Sequence, residues 1–159
     1  MQKIQRLQQQ GVAVAEGEGS TLQKTIVLSA LMISIVLIFV NGLRNPVFFV
    51  MLPLVIIAID FLSGFVHWFF DTQVEPSDTF LGRIAIDFLD HHIRPGRTAE
   101  VSFIVSAHRP ALLVTVPLVS LSTIVALPTV TAAAIFWIGF FAMLVPQTHK
   151  EAHLRNNHA

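Results

Sequence analysis

The sequence predicts an all-α fold, a polytopic membrane protein with four transmembrane helices in two hairpins and an amphipathic interfacial helix between them. Three observations predict it. The 159 residues are 53% hydrophobic and only 13% charged, with a mean hydropathy of +0.68, against a charged share of about 25% in soluble domains. Four long apolar runs stand in the chain, and a helix needs about 20 such residues to cross a ~30 Å hydrocarbon core. The one long polar connection, between the second and third runs, has a helical periodicity of its own.

Residues 1–20 read as a flexible polar tail, with Gln2, Gln5, Gln8, Gln9 and Gln10 followed by a Gly/Glu stretch. A secretory signal would place its apolar core nearer Met1, and an organelle transit peptide would carry more Arg and Ser and less Glu. Ser20 with Gln23 three residues on resembles a capping box that opens the first helix. The membrane-embedded domain is expected over 21–159, with spans at about 21–41, 46–70, 110–127 and 129–146. Asn41-Gly42-Leu43-Arg44-Asn45-Pro46 makes the first turn, Pro46 suiting the first helical position. Pro128 breaks the second hairpin. Buried helices of a soluble protein are the alternative, but runs joined by such short turns leave no polar faces for water.

Within the connection, Glu75-Pro76-Ser77 gives a start signal, after which Phe80, Ile84 and Phe88 face one way and Arg83, Asp87 and His91 another. A second short helical stretch from about Thr98 leads to His108, just before Pro110. Basic residues set the orientation. Lys3, Arg6 and Lys24 precede the first span, Arg83, Arg94, Arg97 and Arg109 follow the second, and Lys150 and Arg155 follow the fourth, while the opposite turns hold only Arg44. The positive-inside rule therefore puts both termini on the cytoplasmic or equivalent side.

Zero formal net charge leaves no basic stripe for nucleic acid. The absence of cysteine removes thiolate zinc sites, iron–sulfur clusters and a thiol nucleophile, so His, Asp and Glu are the ligands that remain. His67, His91, His92, His108, His149 and His153 all fall on the side that holds the termini, where neutral imidazoles are good transition-metal ligands. His149 and His153 form an HxxxH pair on one helical face. Taken singly, His108 reads as an interfacial residue, and two histidines near a terminus can be incidental. Their convergence on one side is what favours ligation.

The second span carries Asp60, Gly64, His67 and Asp71 at spacings of four, three and four, hence on one helical face. Counting from Pro46 at 1.5 Å per residue, Asp60 sits roughly 21 Å into the bilayer and His67 roughly 31 Å, near the far interface. An ionisable group at Asp60's depth costs at least about 2.5 kcal/mol unless it faces the bundle interior. Its plain reading is an interhelical polar contact, with Gly64 allowing close packing. A proton or ion carrier built on Asp60 is the furthest alternative.

Together, Asp60-x-x-Ser63-Gly64-x-x-His67-Trp68-x-x-Asp71, His91-His92-x-x-Pro95, Phe103-x-x-x-x-His108 and Gln147-x-His149-x-x-x-His153 resemble the Kua family of lipid desaturases. That family includes plasmanylethanolamine desaturase and a plastid desaturase acting on phosphatidylglycerol, and the spacing of His92 to His108 is closer to the plastid branch. The resemblance covers Asp60 to His153. It implies a membrane lipid desaturase with a histidine-ligated di-iron centre, using O2 and an external electron donor such as ferredoxin or cytochrome b5. On this reading His67, His91, His92, His108, His149 and His153 hold iron, and Asp60 and Asp71 orient imidazoles. Asp71, Asp87 or Asp90 can add carboxylate ligands. The chain departs from the family at Glu151, where a Trp is usual, and at Gln73-Val74, where an aromatic-Gly pair is usual. The family's further C-terminal histidine cluster has no counterpart before Ala159, so an inactive, truncated metal-binding scaffold of the same family is the alternative expectation.

Overall fold

The structure is a computed structural model, and it describes residues 18–93 and 101–156, without the side chains of 91, 93 and 152–156. Residues 1–17 of the expected tail, the basic residues Arg94 and Arg97, the side chain of Arg155, and His158 lie outside what is described. So do the side chains of His91 and His153.

Every element among the described residues is helical: α1 (Thr21–Arg44), α2 (Val47–Val50), α3 (Leu52–Thr72), α4 (Phe80–Ile93), α5 (Phe103–Pro110), a π-helical stretch (Ala111–Thr115), α6 (Val116–Ile124) and α7 (Thr129–Asn156). Four of the resulting helical segments are long and apolar enough to cross a membrane: Thr21–Arg44, Val47–Thr72, Phe103–Ile124 and Thr129–Glu151. Large apolar side chains such as Leu28, Met32, Phe39, Leu43, Ile57 and Phe61 point outward. Water would not tolerate that much apolar surface, whereas lipid favours it. The architecture is that of a multi-pass integral membrane protein.

Local chemistry sets each boundary. At the start of α1 the capping box forms as the sequence predicts, Ser20 N–H donating to Gln23 Oε1 at 2.8 Å and Gln23 N–H to Ser20 Oγ at 3.3 Å. Asn45 ends α1 and its Oδ1 accepts from Val47 N–H at 3.0 Å, which turns the chain. The second span differs from the expected single helix after Pro46. It breaks at Met51 between α2 and α3, because Pro53 has no N–H to give Phe49 O and its ring crowds that carbonyl.

The third span also starts earlier than expected, at Phe103 with Ser102 as N-cap, so His108 lies within it. Pro110 and Pro117 both lack donors there. The ladder widens around them, with Val116 N–H reaching Ala111 O across the π-helical stretch. Thr79, rather than Ser77, caps α4, its Oγ1 accepting from Gly82 N–H at 3.2 Å. The buried side of α4 is Gly82, Ala85, Ile86 and Asp90, while Phe80 stays exposed. The inward face is thus rotated from the Phe80/Ile84/Phe88 stripe, because Gly82 is the residue that fits directly against the Ser77 backbone.

α7 is the hub, packing against α2, α3, α5, the π-helical stretch and α6. Near the turns, Phe48, Val55, Val119, Ala133, Phe136 and Trp137 form one core. Trp137 Nε1–H donates to Phe48 O at 2.7 Å, so the indole satisfies a carbonyl freed at the short helix α2. At the other end Val27, Ala30, Ala107, Ala111 and Met143 form a second core. There Gln23 meets His108, and Lys150 Nζ donates to Val101 O at 2.9 Å. The start of α1, the start of α5 and the end of α7 are therefore gathered at one end of the bundle.

Candidate metal centre

The last two turns of α3 bring His67 and Asp71, four residues apart, to the same face. The interfacial helix α4 is seated on those turns by Phe88, whose ring stacks on Phe70 with centroids 5.1 Å apart and an interplanar angle of 15°. Phe88 also meets the His67 ring at 5.1 Å in a T-shaped contact. One helical turn beyond Phe88, His92 projects over the end of α3. Its Nε2 lies 2.9 Å from Asp71 Oδ2 and 3.2 Å from His67 Nε2, and His67 Nε2 is 3.3 Å from the same carboxylate oxygen. Across the site α7 contributes His149, its ring centroid 5.6 Å from that of His67.

One potential ligand atom from each of His67, Asp71 and His92 lies within 4.8 Å of the other two. The carboxylate's other oxygen, Asp71 Oδ1, is buried and has no hydrogen-bond partner among the described residues. A buried carboxylate oxygen without a donor is costly. A cation bound by the carboxylate through both oxygens would satisfy it, with the two imidazole nitrogens beside Oδ2 as further ligands. Two imidazoles and one carboxylate, with positions left open, are a donor set suited to non-haem iron(II). The residues present therefore fit such a metal.

A second polar cluster lies beside the first. Arg109 donates from its guanidinium to Asp87, joining α5 to α4. Burial holds the Asp87 carboxyl above its ordinary range, against the pull of Arg109 and His108, and the neighbouring Asp90 adds to the rise. Asp90 itself is buried. His108 sits here, its Nδ1–H donating to Val105 O at 2.6 Å with Gln23 against the ring, and it does not join the group formed by His67, Asp71 and His92. Asp60 is exposed midway along the second span. It makes no hydrogen bond to an imidazole among the described residues. A Cβ at Gly64 would touch nothing within 4 Å, so no helix packs closely there.

Phe88 and Arg109 hold the α4 end of the site, and the motifs do not single them out. Phe88 was legible only as part of an apolar stripe, and Arg109 only as one of several basic residues on that side.

The family model described as "Lipid desaturase domain" matches residues 55–159, from the first turns of α3 onward. Comparison with curated proteins finds no match, and comparison with solved structures finds none either.

Proposed function

The chain belongs to the lipid desaturase family, and on that premise we propose that it is an O2-dependent desaturase of membrane lipids, of the Kua type, with its iron at the end of α3. The observation that carries the reading is the convergence of His67 Nε2, His92 Nε2 and Asp71 Oδ2 beside the orphaned Asp71 Oδ1. Iron bound there would, with O2 and electrons from an external donor, supply the oxidising power to remove hydrogen from an unactivated C–H bond, which no side chain provides.

The chain's own residues do the rest. His67, His92 and His149 present imidazole nitrogens, and His91 and His153 are the further nitrogen ligands of a di-iron set, which His108, held by Val105 O and Gln23, does not join. Asp71 adds a carboxylate and takes up positive charge at the site. Phe88, wedged against His67 and Phe70, fixes the imidazole plane and keeps water from the hydrocarbon side. The acyl chain approaches at the depth where the last turns of α3 meet the interface. His92, half exposed, marks the aqueous side, where a ferredoxin or cytochrome b5 type donor delivers electrons. Both termini and the histidines then share the cytoplasmic or equivalent face.

Expression in a host with a suitable reductase should add a double bond to a membrane lipid only when O2 is present. His67→Ala and His92→Ala should abolish the product while leaving the protein in the membrane. Iron-loaded protein that leaves the lipid profile unchanged with several donors would overturn the catalytic reading.

A further inference from the structure

Asp60 lies at the middle of the 26-residue span Val47–Thr72, at the depth where hydrocarbon offers a carboxyl no partner. It is exposed, and among the described residues it has neither a hydrogen bond nor an ion pair. Helical spacing puts Ile57, Asp60, Phe61, Gly64 and Trp68 on one flank of α3, and all five are exposed. The flank that packs into the bundle is a different one, centred on Val55. Arg109, which the apolar segments do contain, is already engaged by Asp87. The exposed flank thus holds a polar group that needs a partner, set in an apolar surface, with open space around Gly64 one turn away.

A second copy of this chain meets those requirements. A carboxyl group is self-complementary, since the O–H of one donates to the oxygen of another. A two-fold axis along the membrane normal brings both copies of Asp60 to the same depth automatically, whereas an unrelated partner would need a polar group placed there separately. Gly64 lets the two backbones approach, as small residues do at membrane helix contacts. We propose that the α3 flank bearing Asp60 and Gly64 is the interface of a homodimer, with the two Asp60 carboxyls hydrogen-bonded across its axis. The same face continues to His67 and Asp71, so the second copy would lie along the mid-membrane side of each site.

The absence of cysteine makes the test direct. In purified protein reconstituted into phosphatidylcholine vesicles, Ile57→Cys and Phe61→Cys should form disulfide-linked dimers on mild oxidation, and Val55→Cys, facing the core, should not. Added to Ile57→Cys, Asp60→Leu should lower the cross-linked fraction about tenfold, the scale of one interhelical polar contact, and Gly64→Leu should lower it as well. Asp60→Asn should retain the dimer, because an amide also pairs with itself. Asp60→Leu adds an apolar side chain to a lipid-facing position, so insertion is preserved, and helical circular dichroism checks this. Absence of cross-linking at Ile57 and Phe61, equal cross-linking at Val55, or indifference to both Asp60→Leu and Gly64→Leu would overturn the proposal. So would a Gly64-dependent adduct to a different protein in native membranes. None of these outcomes depends on desaturase activity.

Discussion

Among the described residues, Asp71 is the carboxylate whose position asks most for a cation. One carboxylate oxygen faces two imidazoles, and the other is buried without a donor among the described residues. Asp71→Asn keeps the shape and removes the charge, so iron retained by the purified protein should fall about tenfold or more, within the range for altered groups at metal sites. Metal analysis beside a circular dichroism check decides this, and full iron occupancy in the variant would place the metal elsewhere. Asp87 makes a prediction of its own. Burial raises its carboxyl above the ordinary 3.8 despite Arg109, so the native protein holds that proton to higher pH than the unfolded chain. Its contribution to stability is therefore greatest below 3.8 and declines as pH rises through the raised value. Thermal melts of wild type and Asp87→Asn across that range should show wild type losing ground to the variant as pH increases. A difference that stays constant with pH would refute the assignment.

At the scale of elements, the contact between α6 and α7 depends on the absence of a side chain. A Cβ on Gly139 would stand 2.9 Å from Leu118 Cβ, and at this close approach Thr115 Oγ1–H donates to Gly139 O at 2.7 Å. The hydroxyl holds the π-helical stretch, with its two flanking prolines, against the hub helix. Gly139→Val should force α6 and α7 apart and cost about 1–3 kcal/mol, the range for overpacking. Thr115→Val, which loses only the hydrogen bond, should cost about 1 kcal/mol. Denaturation in detergent would rank the two, and a harmless Gly139→Val would mean that the helices are not in register here. The interfacial helix is held differently, by Phe88 against Phe70 and by Asp87 with Arg109. These few attachments are what keep His92 over the end of α3.

For the whole molecule, the four spans place Asn45 and Ser77 at opposite ends of the bundle. Single cysteines at those two positions should label from opposite faces of the membrane, Ser77 from the side bearing the histidines. Labelling of both from one face would dismantle the convergence on which the proposed metal centre rests. Of the histidines expected to converge, the described residues bring His67, His92 and His149 to one place and set His108 beside Asp87 and Gln23. The separation arises because the third span begins at Phe103, which carries His108 into the bundle wall.

The sequence by itself determined that there are four spans, the Ser20–Gln23 cap, the interfacial helix and the placing of His67, His92, His108 and His149 toward one end. Those features follow from hydropathy and from local hydrogen bonding, which depend on near neighbours along the chain. It also put Asp60, Gly64, His67 and Asp71 on one helical face through their spacing. Which part of that face is covered was decided only by the tertiary structure. α4 lies over the last turns of α3 and encloses His67 and Asp71, but it stops short of mid-membrane, so the same stripe leaves Asp60 uncovered within the single chain. Periodicity gives the direction in which a side chain leaves its helix, whereas what meets it depends on where Phe88, Arg109 and Gly139 let distant helices settle.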